Sequence, residues 1–120
     1  MEKMIESFKK MIREKAEYKA SRELVETLPE DYKFVYKEIE KYMFSFVVDE
    51  SVMPVLMNIS ESFAIAASNG RSVISITGED VGLFCDNLIE KFKVKTWVGK
   101  QKEKMNKRIH KKFEIKMNEE

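Results

Sequence analysis

The sequence predicts an all-α fold: a single domain over residues 1–120, built from four to five helices, with an amphipathic central helix and a basic C-terminal helix. Two observations predict it. Apolar residues recur at spacings of three and four through most of the chain, which is the period of a helix face. The breaks between these stretches carry helix-ending and helix-starting residues, such as Pro29, Ser51, Asn69-Gly70 and Thr77. A chain of 120 residues is also long enough to bury a core without disulfides or metal.

The first helix is expected over residues 2–27. Met4, Ile5, Phe8, Met11 and Ile12 form a strong stripe, which continues more weakly as Tyr18 and Val25 on a rotated face. Two half-stripes on different faces predict that the two halves pack on different things, or that the helix wraps around a small core. The first half, Met4, Phe8, Met11 and Ile12, is therefore a candidate contact for a homodimer.

The central helix follows within residues 28–46 and is expected to reach about Val48. Tyr32, Val35, Tyr36, Ile39, Tyr42, Met43 and Phe46 share one face, and Lys33, Lys37, Glu38 and Lys41 belong to the opposite one. Pro29 suits the first turn, where a missing N–H costs nothing, and Glu30 and Asp31 complement the positive end of the helix dipole. The stripe is aromatic as well as aliphatic, so it is the largest apolar payload of the chain.

A third helix is expected over about Val52 to Ser68, with Ser51 as its cap and the stripe Val52, Leu56, Ile59, Phe63, Ala66. Ala64, Ala66 and Ala67 allow close approach of a neighbouring helix, and Asn69-Gly70 ends it. The stretch 71–76 holds the β-branched Val73, Ile74 and Ile76 and reads as an extended connector. Thr77 then caps a fourth helix by accepting from the Asp80 N–H, with Val81, Phe84, Cys85, Leu88, Ile89 and Phe92 facing the core. From about Val94 a last helix carries a narrow stripe of Trp97, Val98, Met105, Ile109, Phe113 and Met117 through many lysines. Its continuity with the fourth helix stays open at this level.

The formal net charge of +1 hides an asymmetry. Residues 91–116 hold 11 basic and two acidic side chains, whereas residues 1–90 hold 11 basic and 17 acidic ones. An acidic body with a basic C-terminal segment points to an acidic partner, either a protein or DNA. Lys100, Lys104, Lys107, Arg108, Lys111 and Lys112 are the candidate contacts. The single cysteine, Cys85, fits a reducing cytoplasm. No run approaches a membrane span and the N-terminus lacks a secretory apolar core, so no membrane partner is expected.

Two stretches carry a resemblance: LPEDYKFVYKEIEKYM at 28–43, and Gly70-Arg71-Ser72-Val73 running on through ITGEDVGLFCDNLI. A weaker third is Trp97 followed by EKMNKRI at 103–109. Together they resemble a family of short bacterial proteins, the domain of unknown function ten forty-eight, sometimes captioned DNA-binding ferritin-like. The resemblance covers most of the chain after Glu26 and implies an all-α cytosolic protein of Firmicute type. It brings no activity and no functional residues. The third helix is less acidic here than the family pattern.

The ferritin-like caption makes a chemical demand that the residues do not meet. A bundle di-iron site uses Glu from two helices and Glu-x-x-His from two others. This chain has one histidine, His110, with Lys107 three residues before it and Lys111 and Lys112 beside it. Metal binding needs neutral imidazole among anions, so no metal and no cofactor are expected. Cys85 lies between apolar neighbours with no nearby histidine to activate it, and the four glycines form no phosphate-binding pattern. The expected function is that of a small non-enzymatic protein-binding or regulatory accessory protein. Non-specific nucleic-acid association through the basic helix is the alternative.

Overall fold

The computed structural model describes residues 2–115. It contains α1 (Glu2–Glu26), α2 (Glu30–Phe44), a single 3₁₀ turn (Glu50–Val52), α3 (Met53–Ser68), α4 (Val73–Thr77), α5 (Val81–Lys91) and α6 (Trp97–Lys112). Among the described residues the only strand-like pairing is an isolated antiparallel bridge between Val47 and Thr96. The all-α expectation therefore holds.

The core forms where α2 and α3 meet the second half of α1. From α2, Tyr32, Tyr36, Ile39 and Met43 are buried, which is the face read from the sequence. Tyr42 of the same predicted stripe is instead exposed, and it packs edge-on against Phe46 with ring centroids 4.8 Å apart. From α3, Val55, Leu56, Ile59, Ser60, Phe63 and Ala66 are buried. This helix touches α1, α2 and α4, so it shares the centre of the fold with α2. The Tyr32 and Phe63 rings meet edge to face at 5.3 Å. Small residues let α1 and α3 approach closely, and the Ser21 and Ser60 hydroxyls lie 2.6 Å apart in the interior.

Helix ends explain the rest of the path. After α3, Gly70 adopts a left-handed φ of 72°, its N–H donates to Ala67 O, and the Arg71 N–H donates to Ala66 O. That pair of bonds is the Schellman terminator, and glycine fits it without steric cost. The Tyr32 hydroxyl donates to Arg71 O at 2.6 Å and ties this turn to α2.

Three local expectations are corrected. The stretch after Arg71 is one helical turn, α4, rather than an extended connector. Ser72 caps it by accepting from the Ser75 N–H, and its buried Val73 and Thr77 hold it on the core. Thr77 does not cap α5. Its hydroxyl donates to Gly78 O at 2.8 Å, and Asp80 caps α5 by accepting from the Leu83 N–H. Asp49 rather than Ser51 caps the 3₁₀ turn that leads into α3, accepting from the Ser51 N–H at 2.9 Å. The Ser51 hydroxyl is used elsewhere, as acceptor for the Lys95 N–H.

The question left open about the last two helices is resolved at Lys93. This residue takes a left-handed φ of 53°, its N–H donates to Glu90 O, and the Val94 N–H donates to Ile89 O. The chain makes a second Schellman turn here, so α5 and α6 are separate helices. The start of α6 is then pinned. The Val48 N–H donates to Lys95 O, the Trp97 N–H to Phe46 O, and the Thr96 side chain accepts from the Gly99 N–H. No residue of α6 is buried. It ends at Lys112, and Met117 of its expected stripe lies outside the described residues.

The radius of gyration is 17.9 Å and the principal extents are 57 × 42 × 22 Å. A compact chain of this length has a radius near 13–14 Å. The excess comes from two helical arms, the first half of α1 and all of α6.

Candidate interaction surfaces

The first arm is the start of α1. Tyr18, Ser21, Leu24 and Val25 face the body, whereas Met4, Ile5, Phe8, Met11 and Ile12 are all exposed, Phe8 at 59 %. At about 100° per residue these two faces lie roughly a third of a turn apart. A straight helix therefore cannot bury both on one core. The rotated half-stripes of the sequence have this physical meaning, and among the described residues nothing covers the apolar face of the first half.

The second arm is α6. Trp97, Val98, Met105, Ile109 and Phe113 are exposed, as are Lys100, Lys104, Lys107, Arg108, Lys111 and Lys112. Among the described residues none of these cations makes an ion pair. Their arrangement is ordered. Val98, Met105 and Ile109 form one ridge, and Lys100, Lys104, Lys107 and Lys111 form another roughly 150° away around the axis. Arg108 and Lys112 flank the apolar ridge. So the structure brings the predicted cations together on one free helix, with two faces of opposite character.

Between α1 and the segment leading into α3 lies an open groove of about 890 Å³. Met11, Tyr18, Met53 and Met57 give it an apolar floor. Glu14, Glu17, Asp49 and Glu50 stand around it, together with Lys10, Lys15 and Lys95. Asp49 titrates below the usual carboxylate range because it accepts from Ser51. Sequence reasoning missed this groove, since its walls come from segments some 40 residues apart. The methionine content of both segments was the available signal.

The interior offers little chemistry. Burial, with a smaller contribution from Asp86, pushes the Cys85 thiol up to about 11, so it is not an activated nucleophile. The Tyr18 hydroxyl and the Arg22 guanidinium both donate to Glu40 at 3.0 Å, clamping α1 to α2. Beside them the Tyr36 hydroxyl is buried with no hydrogen-bond partner among the described residues, and desolvation raises its pKa far above that of free tyrosine. Among the described residues no three His, Cys, Asp or Glu side chains form a metal-ligating group. The donor set does not fit the di-iron site that a ferritin-like description implies. No described helix is long and apolar enough to cross a membrane.

A family model described as a protein of unknown function (DUF1048) matches residues 9–110, which takes in α6 as far as His110 but leaves out the start of α1 with Met4, Ile5 and Phe8. The chain belongs to this family. A crystal structure of a DUF1048 protein from Bacillus cereus ATCC 10987, described as a left-handed superhelix fold, is similar at 37 % identity and a TM-score of 0.58. The match covers 93 % of that chain and 61 % of this one. No curated protein matches. The family has a fold but no stated activity, so function has to be argued from the surfaces themselves.

Proposed function

We propose that this protein is a non-enzymatic binding protein of the cytoplasm that acts as a homodimer and grips an acidic protein partner through the basic ridge of α6. The observation that carries this is the free helix itself. Its lysines and Arg108 are exposed and unpaired among the described residues, on an element that stands clear of an acidic body. Cations held on one rigid face steer and orient an oppositely charged partner. The inert thiol and the cation-ringed His110 leave no nucleophile paired with a base.

Nucleic acid is the second reading, favoured by the spacing of the ridge. Lys100 to Lys111 spans roughly 16 Å of helix, long enough to follow several phosphates. Lysine dominates, so such binding would lack bidentate base readout and be non-specific. The test is capture of partners from the native host by wild type and by Lys107→Glu with Arg108→Glu, alongside titration with random duplex DNA at low and physiological salt. The proposal expects a stoichiometric acidic protein that the charge reversal releases, with a shallow salt dependence. If about six charges meet phosphates, log affinity for DNA should instead fall with log salt at a slope of about −5. An unchanged set of captured proteins with the charge-reversed chain would refute the assignment of α6.

A further inference from the structure

Among the described residues both arms present an apolar face with nothing on it. We propose that the apolar ridge of α6 seats on α1 and the adjoining groove of a second copy, reciprocally, so that each chain lends its α6 to the other. This rests on the homodimer reading above and names the element that completes it.

Lengths agree. The exposed face of α1 with the groove runs from Met4 to Tyr18, about 21 Å, and α6 from Trp97 to Lys112 is about 22 Å. Met11 belongs to both the exposed stripe and the groove floor, so the apolar track is continuous from Met4 to Met57. Its methionines adapt to an irregular ridge such as Val98, Met105 and Ile109.

Charge decides between pairings. Two α6 helices packed together would face one another with seven cations and one acid each. Lys102 and Lys112, which border the apolar ridge, would meet their own copies. On α1 and the groove, by contrast, Glu6, Glu14, Glu17, Asp49 and Glu50 balance Lys9, Lys10, Arg13, Lys15 and Lys95, so Lys102 and Lys112 meet a seat without net charge that offers them carboxylates. Pairing α1 with α1 would leave the α6 ridge still bare. The reciprocal arrangement covers both faces in both chains under a two-fold axis, as closed homodimers require. Nine large apolar side chains, Trp97 left out because it lies toward the basic ridge, are about half exposed and offer on the order of 1,000 Å² per chain, against about 800 Å² per partner in a standard interface. The basic ridge, roughly opposite, stays free in such a dimer.

The test is sedimentation combined with site-directed cross-linking. Wild type should sediment as a dimer at about 10 μM, a concentration ordinary interfaces of this size saturate. Phe8→Glu and Ile109→Glu should each give monomers with an unchanged far-UV helix signal. Mixing those two variants should restore a dimer, because one intact α1–α6 contact remains. For cross-linking, a tagged Phe8→Cys chain is mixed with an untagged Ile109→Cys chain and oxidised, Cys85 being buried and unreactive. The expected product is the mixed disulfide between the two chains. A Phe8→Cys disulfide between identical chains, with no mixed product, would overturn the reciprocal pairing while leaving the homodimer standing. A wild-type monomer would overturn both. In a chain carrying Phe8→Cys and Ile109→Cys together, a disulfide formed within that one chain would overturn the reciprocal pairing. Co-sedimentation of a monomer with vesicles of anionic phospholipid would assign the same faces to a lipid surface and overturn the proposal as well.

Discussion

The body and the arms of this protein are built from the same kind of amphipathic helix, yet they meet different fates. In α2, Tyr36 and Met43 are 1 % and 0 % exposed, and the polar residues around them are ion-paired or in water. In α6, Trp97 is 60 % exposed and Ile109 44 %, although the stripe is as regular as that of α2. The difference lies in what surrounds each helix. α2 has α1, α3, α4 and α5 around it, whereas among the described residues α6 is hydrogen-bonded to the body at its start alone, where Phe46, Val48 and Ser51 meet Lys95 and Trp97. Periodicity reports that a face wants burial. It does not report whether the chain itself supplies the cover.

That comparison can be broken most directly by matched truncations. Ile39→Ala in the body should cost about 2–5 kcal/mol, read as a shift in the urea midpoint with unchanged slope. Ile109→Ala in the arm should cost under about 0.5 kcal/mol when measured on chains held monomeric by Phe8→Glu. Equal losses at the two positions would mean that α6 is packed on its own body.

A smaller effect is expected at the junction between the two regions. Asp49 satisfies the Ser51 N–H, and Ser51 in turn accepts from the Lys95 N–H. Asp49→Ala should lower stability by about 1 kcal/mol and speed hydrogen exchange at Lys95 more than at core amides such as Ile59. The Asp49 carboxyl is depressed in the folded state, so its contribution is present above the unfolded pKa near 4 and fades as pH falls through the lower folded value. Slowed exchange at Lys95, or none, would separate the two hydrogen bonds and weaken the account of how α6 is held.

The smallest expected effect sharpens the boundary itself. Lys93 holds a left-handed conformation that costs a side-chain-bearing residue about 1 kcal/mol or more. Lys93→Gly should therefore stabilise the protein by roughly 0.5–1 kcal/mol net of the added freedom of the unfolded chain, measured by thermal unfolding. A loss of stability would show that the Lys93 side chain does more than occupy the turn.

Much of the architecture could be read without coordinates, for reasons local to the chain. The period of three and four fixes a face from neighbouring residues alone, so the buried set of α2, the stripe of α3 and Cys85 of α5 were legible. The Asn69-Gly70 terminator was too, since glycine alone enters the left-handed region freely. The helical turn α4 was not, because its β-branched residues prefer strands and only the core under Val73 and Thr77 overrides that preference. Nor was the break at Lys93, since lysine carries no terminator signal and the turn is enforced by bonds to Ile89 and Glu90. The cations of α6 were visible as a cluster of charge. Their separation from the apolar ridge follows from helix geometry, but that both ridges stand free follows from the tertiary structure alone. The groove beside α1 belongs wholly to the fold, for no local pattern brings Met11 to Met57. What the sequence determined by itself is which faces are apolar and which are charged. Only the tertiary structure decided which of them the chain covers and which it leaves for another molecule.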